Sequence, residues 1–418
     1  MPCYGVVSNT ARGHVVTAIL CGMLAMLLTA TSYGQMARVY PSAGSAYTYV
    51  GRELHPLAGY LTGWAMIFDY VMNPIICSIW CSKAAMKLQL IPNVPYAVWA
   101  VAFVLLFTAL NIRGIEASAR TNAWMTVGLG LVIALFLAAA ARFLWTAPGP
   151  GGTAWLRPFY DPETFSFSRF STGTSIAVLT YIGFDAVSTL SEEARDPRRD
   201  ILRATVLTCL VVGVLSAIEV YAAQLVWPGW RFTDVETAIP QIAGKIGGAF
   251  LMGTVTLALL VATVGSGVGS HLAASRLLYS MGRDGALPAR FFASLAPRTR
   301  IPRNNILLVG ALALVGVFLL DYDTGAELLN FGAFIGFMGV NLAAMVRFAV
   351  RPKRLARAIL PLLGFFICLY LWLSLRTSAK VVGMVWLLLG LAFGAWQTRR
   401  LARSAAAPSP ATGSKDEP

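Results

Sequence analysis

The residues Thr180-Tyr181-Ile182-Gly183-Phe184-Asp185 lie in the middle of a long apolar run. A glycine followed by an acid disfavours a continuous helix there, and an ionisable side chain at mid-membrane depth costs about 2.5–3.5 kcal/mol. An unwound helix would present a positive half-helix end to an anion and bare carbonyl groups to a cation. The pattern predicts a solute site at a helix break around Gly183. The alternative is a glycine that only lets two helices pack closely.

A second group of polar residues within an apolar run is Asp69, with Asn73 one turn further along and Pro74 beside it. The proline frees a carbonyl group in the preceding turn. This stretch could bind a cation or a substrate amine, or it could be a hydrogen-bonded pair that only holds helices together. Glu219, near the outer end of another run, is a second candidate for a functional acid; the alternative is that its carboxylate simply reaches interfacial water.

The glycine-rich stretch around Gly265 and Gly269 has the G-x-x-x-G spacing, which predicts a tight helix contact. His271 follows it and is interpreted as a packed or capped histidine rather than a proton relay. No H-E-x-x-H, Walker or G-x-S-x-G motif is present, and the cysteines form no C-x-x-C pair. The sequence therefore predicts no enzyme activity, no metal site and no cofactor.

These residues must be positioned by helices in a lipid bilayer. The 418-residue chain is 57% hydrophobic and only 12% charged, whereas soluble domains carry about 25% charged residues. Apolar runs of about 20 residues without alternation indicate membrane-spanning helices. Eleven full spans are predicted, at 14–37, 57–80, 95–111, 122–142, 170–190, 203–227, 248–280, 304–320, 325–347, 358–375 and 380–397.

The net charge of +14 is distributed as a topology signal rather than as a nucleic-acid surface, so we expect no nucleic-acid partner. Alternate loops and the C-terminal segment hold 23 of the 33 Lys and Arg residues. The positive-inside rule places these loops and the C-terminus in the cytoplasm. The opening residues Pro2 to Thr10 are too few to span a bilayer, and we interpret them as the outer half of a first helix whose inner half is missing. The alternative is an ordered extracellular cap.

Four stretches together resemble the amino acid–polyamine–organocation (APC) permeases. The segment that begins at Tyr181 continues G-F-D-A-V-S-T-L-S-E-E-A-R-D-P-R-R to Arg199, similar to the family's sixth helix. The segments 32–47, 111–114 and 275–288 are similar to the sequence after its second helix, before its fifth and after its eighth. The sequence around Asp69 and Tyr4 is most similar to that of the putrescine-importer-like branch of the family.

The resemblance implies an all-α LeuT-type fold, in which two inverted five-helix repeats occupy 1–348 and two further helices occupy 349–400, followed by a disordered cytoplasmic tail at 401–418. It implies that substrate binds between the unwound centres of the first and sixth helices. The residues concerned are Tyr4, Gly5 and Val6 with Tyr181, Ile182, Gly183 and Phe184, with Asp185 near the substrate or its gate. Glu192 and Glu193 would help to close the cytoplasmic side; the alternative is a helix-end charge network with Arg198 and Arg199.

The function implied is import of amino acids or polyamines across the plasma membrane by alternating access, without a cofactor. A polyamine would need the acids Asp69 and Asp185, whereas an amino acid would use a half-helix N-terminus. The run 122–142 has no lysine where some proton-coupled members carry one, so symport with protons or sodium and exchange remain open. The alternatives are an amino acid or amine exchanger, and a truncated binding protein that does not transport.

Overall fold

The computed structural model describes residues 3–89, 91–114, 119–146, 152–192, 194–232, 234–297 and 299–406, and within these ranges the regular structure is helical throughout. The α-helices are α1 (Tyr4–Ala11), α2 (Val15–Val39), α3 (Ser45–Glu53), α4 (Pro56–Lys87), α5 (Tyr96–Arg113), α6 (Ala119–Thr146), α7 (Phe167–Ala177), α8 (Ala186–Thr189), α9 (Pro197–Val226), α10 (Ala238–Arg283), α11 (Ala289–Phe292), α12 (Arg303–Leu319), α13 (Tyr322–Met345), α14 (Ile359–Leu373) and α15 (Thr377–Ala406). Short 3₁₀ turns lie at Gly152–Trp155, Val178–Thr180, Val235–Thr237 and Leu355–Ala358, and a π turn at Val346–Val350.

Nine helical segments within the described ranges are long and apolar enough to cross a bilayer. The protein is therefore a polytopic helical membrane protein, as predicted. Two of the eleven predicted spans are not among these nine segments. The span predicted at 170–190 is divided into α7, a 3₁₀ turn and the four-residue α8, and the span at 304–320 is the 17-residue α12.

The centre of the bundle is α4, which packs against α10 and α13. Its apolar stretch is 94% buried within the protein, whereas that of α6 is only 11% buried. Small residues permit the close packing: a Cβ atom at Gly332 of α13 would lie 2.5 Å from the Ala65 carbonyl oxygen and 2.9 Å from the Asp69 backbone nitrogen. The α4 helix is thus held on all sides, while α6 turns most of its surface to lipid.

The helix α10 differs from the single span predicted at 248–280. It begins ten residues earlier, at Ala238, and its helical geometry is interrupted at Gly247 and Gly248. Gly248 has a φ of +64°, which glycine adopts without a Cβ penalty. The segment is therefore a short helix joined through two glycines to a membrane-spanning one.

The tight contact predicted at Gly265 and Gly269 is wrong, because a Cβ atom at either position would meet no atom within 4 Å. The close contact is made by Gly267, which packs on the ring of Phe107. His271 is a packed histidine, as interpreted from the sequence, with ring atom Nε2 2.9 Å from the Ile306 carbonyl oxygen.

The last helix, α15, continues to Ala406, beyond residue 401 where the sequence places the start of the tail. Residues 407–418 lie outside the described residues.

Candidate functional site

The interruption predicted at Gly183 is present in the structure. The helix α7 ends at Ala177, a 3₁₀ turn follows, and helical structure returns only at Ala186. Gly183 has a φ of +121°, and a Cβ atom there would meet nothing within 4 Å. The constraint at this position is thus the backbone conformation and not the available space.

Asp185 stabilises this turn. Its carboxylate atom Oδ1 accepts a hydrogen bond from the Gly183 backbone N–H at 3.0 Å, and Oδ2 accepts one from the Tyr70 hydroxyl at 2.6 Å. The side chain is fully buried. The Asp185 carboxylate therefore takes the place of the backbone acceptor that the Gly183 N–H would have in a continuous helix. It also connects the turn to α4.

Asp69, the other acid predicted at the site, is also fully buried on α4. It lies close enough to Asp185 for the two carboxylates to interact electrostatically, and neither of its own carboxylate oxygens has a hydrogen-bond partner among the described residues. The structure thus brings the two predicted acids into one region.

The short helix α1 lies beside the break. The Sγ atom of Cys3, just before α1, is 3.6 Å from the Thr180 hydroxyl. At the far end of α1, a Cβ atom on Gly173 of α7 would lie 2.6 Å from the Cβ of Ala11. The two segments that the sequence pairs, around Tyr4-Gly5 and around Gly183, are neighbours in the structure.

A cavity of about 320 Å³ lies next to the break. This volume is at the lower end of the range for small-molecule sites, about 300–1,000 Å³. Side chains from α4, α9, α10 and α13 complete its wall. The lining residues are Cys3, Asn73, Ile76, Cys77, Trp80, Leu179, Thr180, Ile182, Ser216, Glu219, Leu259, Ala262, Thr263, Ser266 and Tyr322.

Only Ile182 among the predicted substrate residues is part of the cavity lining. Tyr181 is buried instead against α2, where its hydroxyl donates a hydrogen bond to the Ile19 carbonyl at 2.7 Å. Phe184 packs edge-on against Tyr33, with ring centroids 5.6 Å apart. Asp69 and Asp185 lie among buried side chains outside the cavity lining.

The predicted residues of α1 pack away from the cavity lining as well. Tyr4 is fully buried with its ring 5.8 Å from that of Phe232, and Val6 is buried too. Gly5 lies directly against the Val235 carbonyl, so that any side chain at this position would clash with it. The contribution of α1 to the cavity comes from Cys3.

Glu192, predicted as a gate residue, lies at the end of the bundle that carries Arg283, α3 and the start of α9, called here the basic end. Its carboxylate accepts a hydrogen bond from the Ala43 backbone N–H at 2.9 Å and lies 3.6 Å from the Arg283 guanidinium. These residues line a second cavity of about 470 Å³ with Arg276 and Arg300. Glu193, the second predicted gate residue, lies outside the described residues.

An ion pair that was not predicted from the sequence lies at the end of the bundle opposite the basic end. The Lys83 ammonium group of α4 lies 2.6 Å from the buried carboxylate of Glu236, and the Lys87 ammonium donates to the Thr237 hydroxyl at 2.6 Å. The Trp80 indole N–H donates to the Glu236 carbonyl at 3.0 Å. The three bonds connect α4 to the segment that precedes α10, and they form what we call the outer clamp.

Ser216, Glu219 and Ser266 also line the cavity, and the sequence did not assign them to the substrate site. Ser216 and Glu219 are one turn apart on α9, and Ser266 lies on α10. The spacing of Ser216 and Glu219 on one helix face was a signal for a shared cavity. Glu219 is only half-buried and lines the cavity, whereas the sequence suggested contact with interfacial water.

A polytopic bundle with an interrupted helix beside a cavity is an architecture that membrane transport proteins use. The family model for amino acid permeases matches residues 3–403. The chain therefore belongs to the amino acid permease family, within the APC superfamily that the sequence motifs resemble.

Similar proteins include the low-affinity putrescine importer PlaP of Escherichia coli (strain K12), 36% identical over 95% of this chain and 88% of the relative. The branched-chain amino acid permease BcaP of Bacillus subtilis (strain 168) is 26% identical over 91% and 85%. The vacuolar cationic amino acid transporter 4 of Arabidopsis thaliana is 28% identical over 84% and 60%. These relatives are permeases and transporters, not enzymes.

Proposed function

We propose that this protein is a secondary active transporter that imports amino acids or polyamines across the plasma membrane by alternating access. The observation that carries the proposal is the helix interruption at 178–185 beside a cavity, in a chain of the amino acid permease family. The similar proteins named for putrescine and for amino acids support this range of substrates.

The proposed architecture is the LeuT-type arrangement, with two inverted five-helix repeats in 1–348 and two additional helices in 349–400. The juxtaposition of α1 and the break between α7 and α8 supports it, because discontinuous helices form the solute site in transporters of that type. The basic end would face the cytoplasm, in agreement with the positive-inside rule.

The proposed substrate site is the cavity, with Ile182 on one side and Cys3, at the start of α1, on the other. Tyr4, Gly5 and Val6 would hold α1 in place, and Tyr181 and Phe184 would anchor the two ends of the break. The buried acids Asp69 and Asp185 would position the turn. These proposed roles are structural because the residues concerned are packed within the bundle and do not line the cavity.

The proposed gates lie at the two ends of the bundle. At the basic end, the contact of Glu192 with Ala43 and Arg283 connects α8 to α10 and to the segment before α3. At the opposite end, the outer clamp connects α4 to the segment before α10. Alternating access requires that one set of contacts opens while the other is closed.

The test is transport by the purified full-length protein in liposomes. Labelled putrescine, arginine and leucine would be offered with and without proton or sodium gradients, and with and without internal substrate. We expect uptake of at least one of the three above protein-free liposomes. Uptake that depends on internal substrate would identify exchange, and the absence of all uptake by a monodisperse protein would contradict the proposal.

A further inference from the structure

We propose that a cavity between α2 and α14, at the basic end of the bundle, binds the headgroup of an anionic phospholipid. This cavity, called here the lipid cavity, has a volume of about 360 Å³. Its wall includes Gln35 and Arg38 of α2, Arg357 just before α14, and Leu360 on α14. None of its lining residues also lines the proposed substrate site. The inference therefore goes beyond the proposed function and does not depend on which solute is transported.

The first argument is the position of the lipid cavity. The membrane-spanning helix α2 ends at Val39, and the apolar helix α14, which packs against it, begins at Ile359. Thr31, the deepest lining residue of α2, lies eight residues before the end of that helix, about 12 Å from it at a rise of 1.5 Å per residue. The polar region of each leaflet is about 5–8 Å thick. The cavity thus extends from the level of the lipid headgroups to that of the first methylene groups.

The second argument is the charge of the lining. Among the described residues that line the lipid cavity, Arg38 and Arg357 are the only charged ones. The Arg38 guanidinium donates through Nε to a neutral acceptor, the Arg198 backbone carbonyl, at 2.8 Å. Within the described part of the chain, the exposed Arg357 guanidinium has no carboxylate partner. Two guanidinium groups therefore meet at one cavity without an acid, and each matches the geometry of a phosphate.

The same lining favours a headgroup with a net negative charge. A phosphatidylethanolamine headgroup carries an ammonium group beside its phosphate, and this ammonium would meet arginines and no carboxylate. A phosphatidylglycerol headgroup carries two neutral hydroxyl groups instead. The Gln35 side-chain amide lies in the wall, and the Thr31 hydroxyl, which donates to the Leu27 carbonyl at 2.8 Å, keeps its oxygen free to accept. Neutral hydroxyl groups of a lipid would thus find polar partners.

The third argument is the segment 346–358, which connects α13 to α14. It contains five basic residues and no acid. Two of the five form ion pairs with Glu53, and the other three, Lys353, Arg354 and Arg357, are exposed. Basic clusters beside a membrane-spanning helix are attracted to anionic lipids. This segment would concentrate such lipids at the entrance of the lipid cavity.

The apolar surface next to the cavity distinguishes a lipid from a soluble anion. Leu360 in the wall and Leu363, one turn further along α14, are 52% and 48% exposed. On α2, Leu24 lies two turns from Thr31 on the same face and is 57% exposed. These leucines continue from the cavity toward the middle of the bilayer. They offer a surface to the acyl chains of a lipid, whereas a free phosphate would use only the arginines.

The test measures lipid binding by the full-length protein purified in dodecyl maltoside. Dioleoyl phosphatidylglycerol, dioleoyl phosphatidylethanolamine or inorganic phosphate would be titrated while the melting temperature is recorded. We expect phosphatidylglycerol to raise the melting temperature of the wild type with saturation, and the other two to have little effect. In Arg357→Gln the apparent dissociation constant for phosphatidylglycerol should rise about tenfold, equivalent to about 1.4 kcal/mol. Arg357→Lys should lie between, because lysine keeps the charge but not the planar fork.

Arg290→Gln is the matched control, since Arg290 is an exposed arginine of α11 at the same end of the bundle and does not line the lipid cavity. It should bind phosphatidylglycerol as the wild type does. An equal loss in both glutamine variants would indicate diffuse attraction and overturn the inference, as would equal affinity in Arg357→Gln and wild type. Equal affinity of the wild type for the two lipids, or an equal effect of inorganic phosphate, would also overturn it. Binding is measured without transport, so failure of the proposed function would leave this test intact.

Discussion

Asp185 provides the only side-chain acceptors that the described structure records for the Gly183 N–H and the Tyr70 hydroxyl, and it does so inside a membrane-spanning bundle. An asparagine has one carbonyl oxygen, so one of these two buried donors would lose its acceptor. An unsatisfied buried group costs about 1–3 kcal/mol. We therefore predict that Asp185→Asn lowers the uptake rate in proteoliposomes at least tenfold, while the protein still purifies as a monodisperse species.

The variant Tyr70→Phe serves as the comparison for this prediction. It removes a donor and leaves both carboxylate oxygens in place, so we expect a smaller loss of uptake than in Asp185→Asn. Wild-type uptake in Asp185→Asn would show that the turn does not depend on the carboxylate and would contradict the prediction.

Gly183 and Gly269 form a pair of glycines that separates backbone strain from steric crowding. A Cβ atom would meet nothing at either position, but Gly183 has a φ of +121° and Gly269 is in regular helix. A side chain at the strained position costs about 1–3 kcal/mol, whereas alanine in a helix is favoured over glycine. We predict that Gly183→Ala lowers the melting temperature and reduces uptake, and that Gly269→Ala leaves both equal to wild type or slightly higher. Equal behaviour of the two variants would exclude backbone strain as the cause.

The residue types at the break could be predicted from the sequence, whereas their orientation could not. Gly183 next to Asp185 indicates an interruption because glycine tolerates the conformation and the acid supplies an acceptor. Which residues face the cavity depends on the rotation of each segment after the break, and that is set by packing. Tyr181 and Phe184 point into the bundle because Ile19 and Tyr33 meet them there.

At the scale of elements, long apolar runs predicted membrane-spanning helices because a bilayer requires them, but only nine of the described helical segments are long and apolar enough to cross it, against eleven predicted spans. Local geometry was harder to predict. The span predicted at 248–280 begins at the interruption of α10 at Gly247 and Gly248, but hydropathy alone did not predict the helical turns from Ala238 that precede it. The G-x-x-x-G pattern at Gly265 and Gly269 faces open space because the neighbouring helix contacts Gly267 instead.

The outer clamp yields a prediction about the motion of elements. Lys83→Met would leave the buried Glu236 carboxylate without its charged partner, so α4 and the segment before α10 should separate more often. Cys77 lines the cavity and provides a natural reporter. In a background with Cys3→Ser and Cys21→Ser, we expect a membrane-impermeant thiol reagent to label Cys77 several-fold faster in Lys83→Met, and putrescine to slow the labelling.

Lys87→Met is the matched control for the clamp, since the Lys87 ammonium donates its recorded hydrogen bond to the neutral Thr237 hydroxyl and not to a buried carboxylate. Its effect on labelling should be clearly smaller than that of Lys83→Met. Unchanged labelling of Cys77 in Lys83→Met would mean that the ion pair does not limit access to the cavity from this end.

The whole molecule has a buried glutamate in an ion pair at each end. At the basic end, Glu53 is fully enclosed by Tyr40 and by Arg351, whose guanidinium lies 2.8 Å from its carboxylate. At the opposite end, the Arg376 guanidinium lies 2.9 Å from the buried Glu327 carboxylate, in addition to the outer clamp. An exchange of access between the two ends would thus break separate sets of contacts, so that a mutation could bias one end without the other.

The orientation of this asymmetric molecule is the last prediction. Of the 33 Lys and Arg residues, 23 lie in loops of the basic end or in the C-terminal segment, and such loops stay in the cytoplasm. Green fluorescent protein fused after residue 418 should fluoresce in bacterial cells, whereas alkaline phosphatase at that position should be inactive. Alkaline phosphatase inserted after Glu163, in the segment that contacts His14, should be active because this segment would face outward. The reverse pattern of activities would place the basic end outside and contradict the prediction.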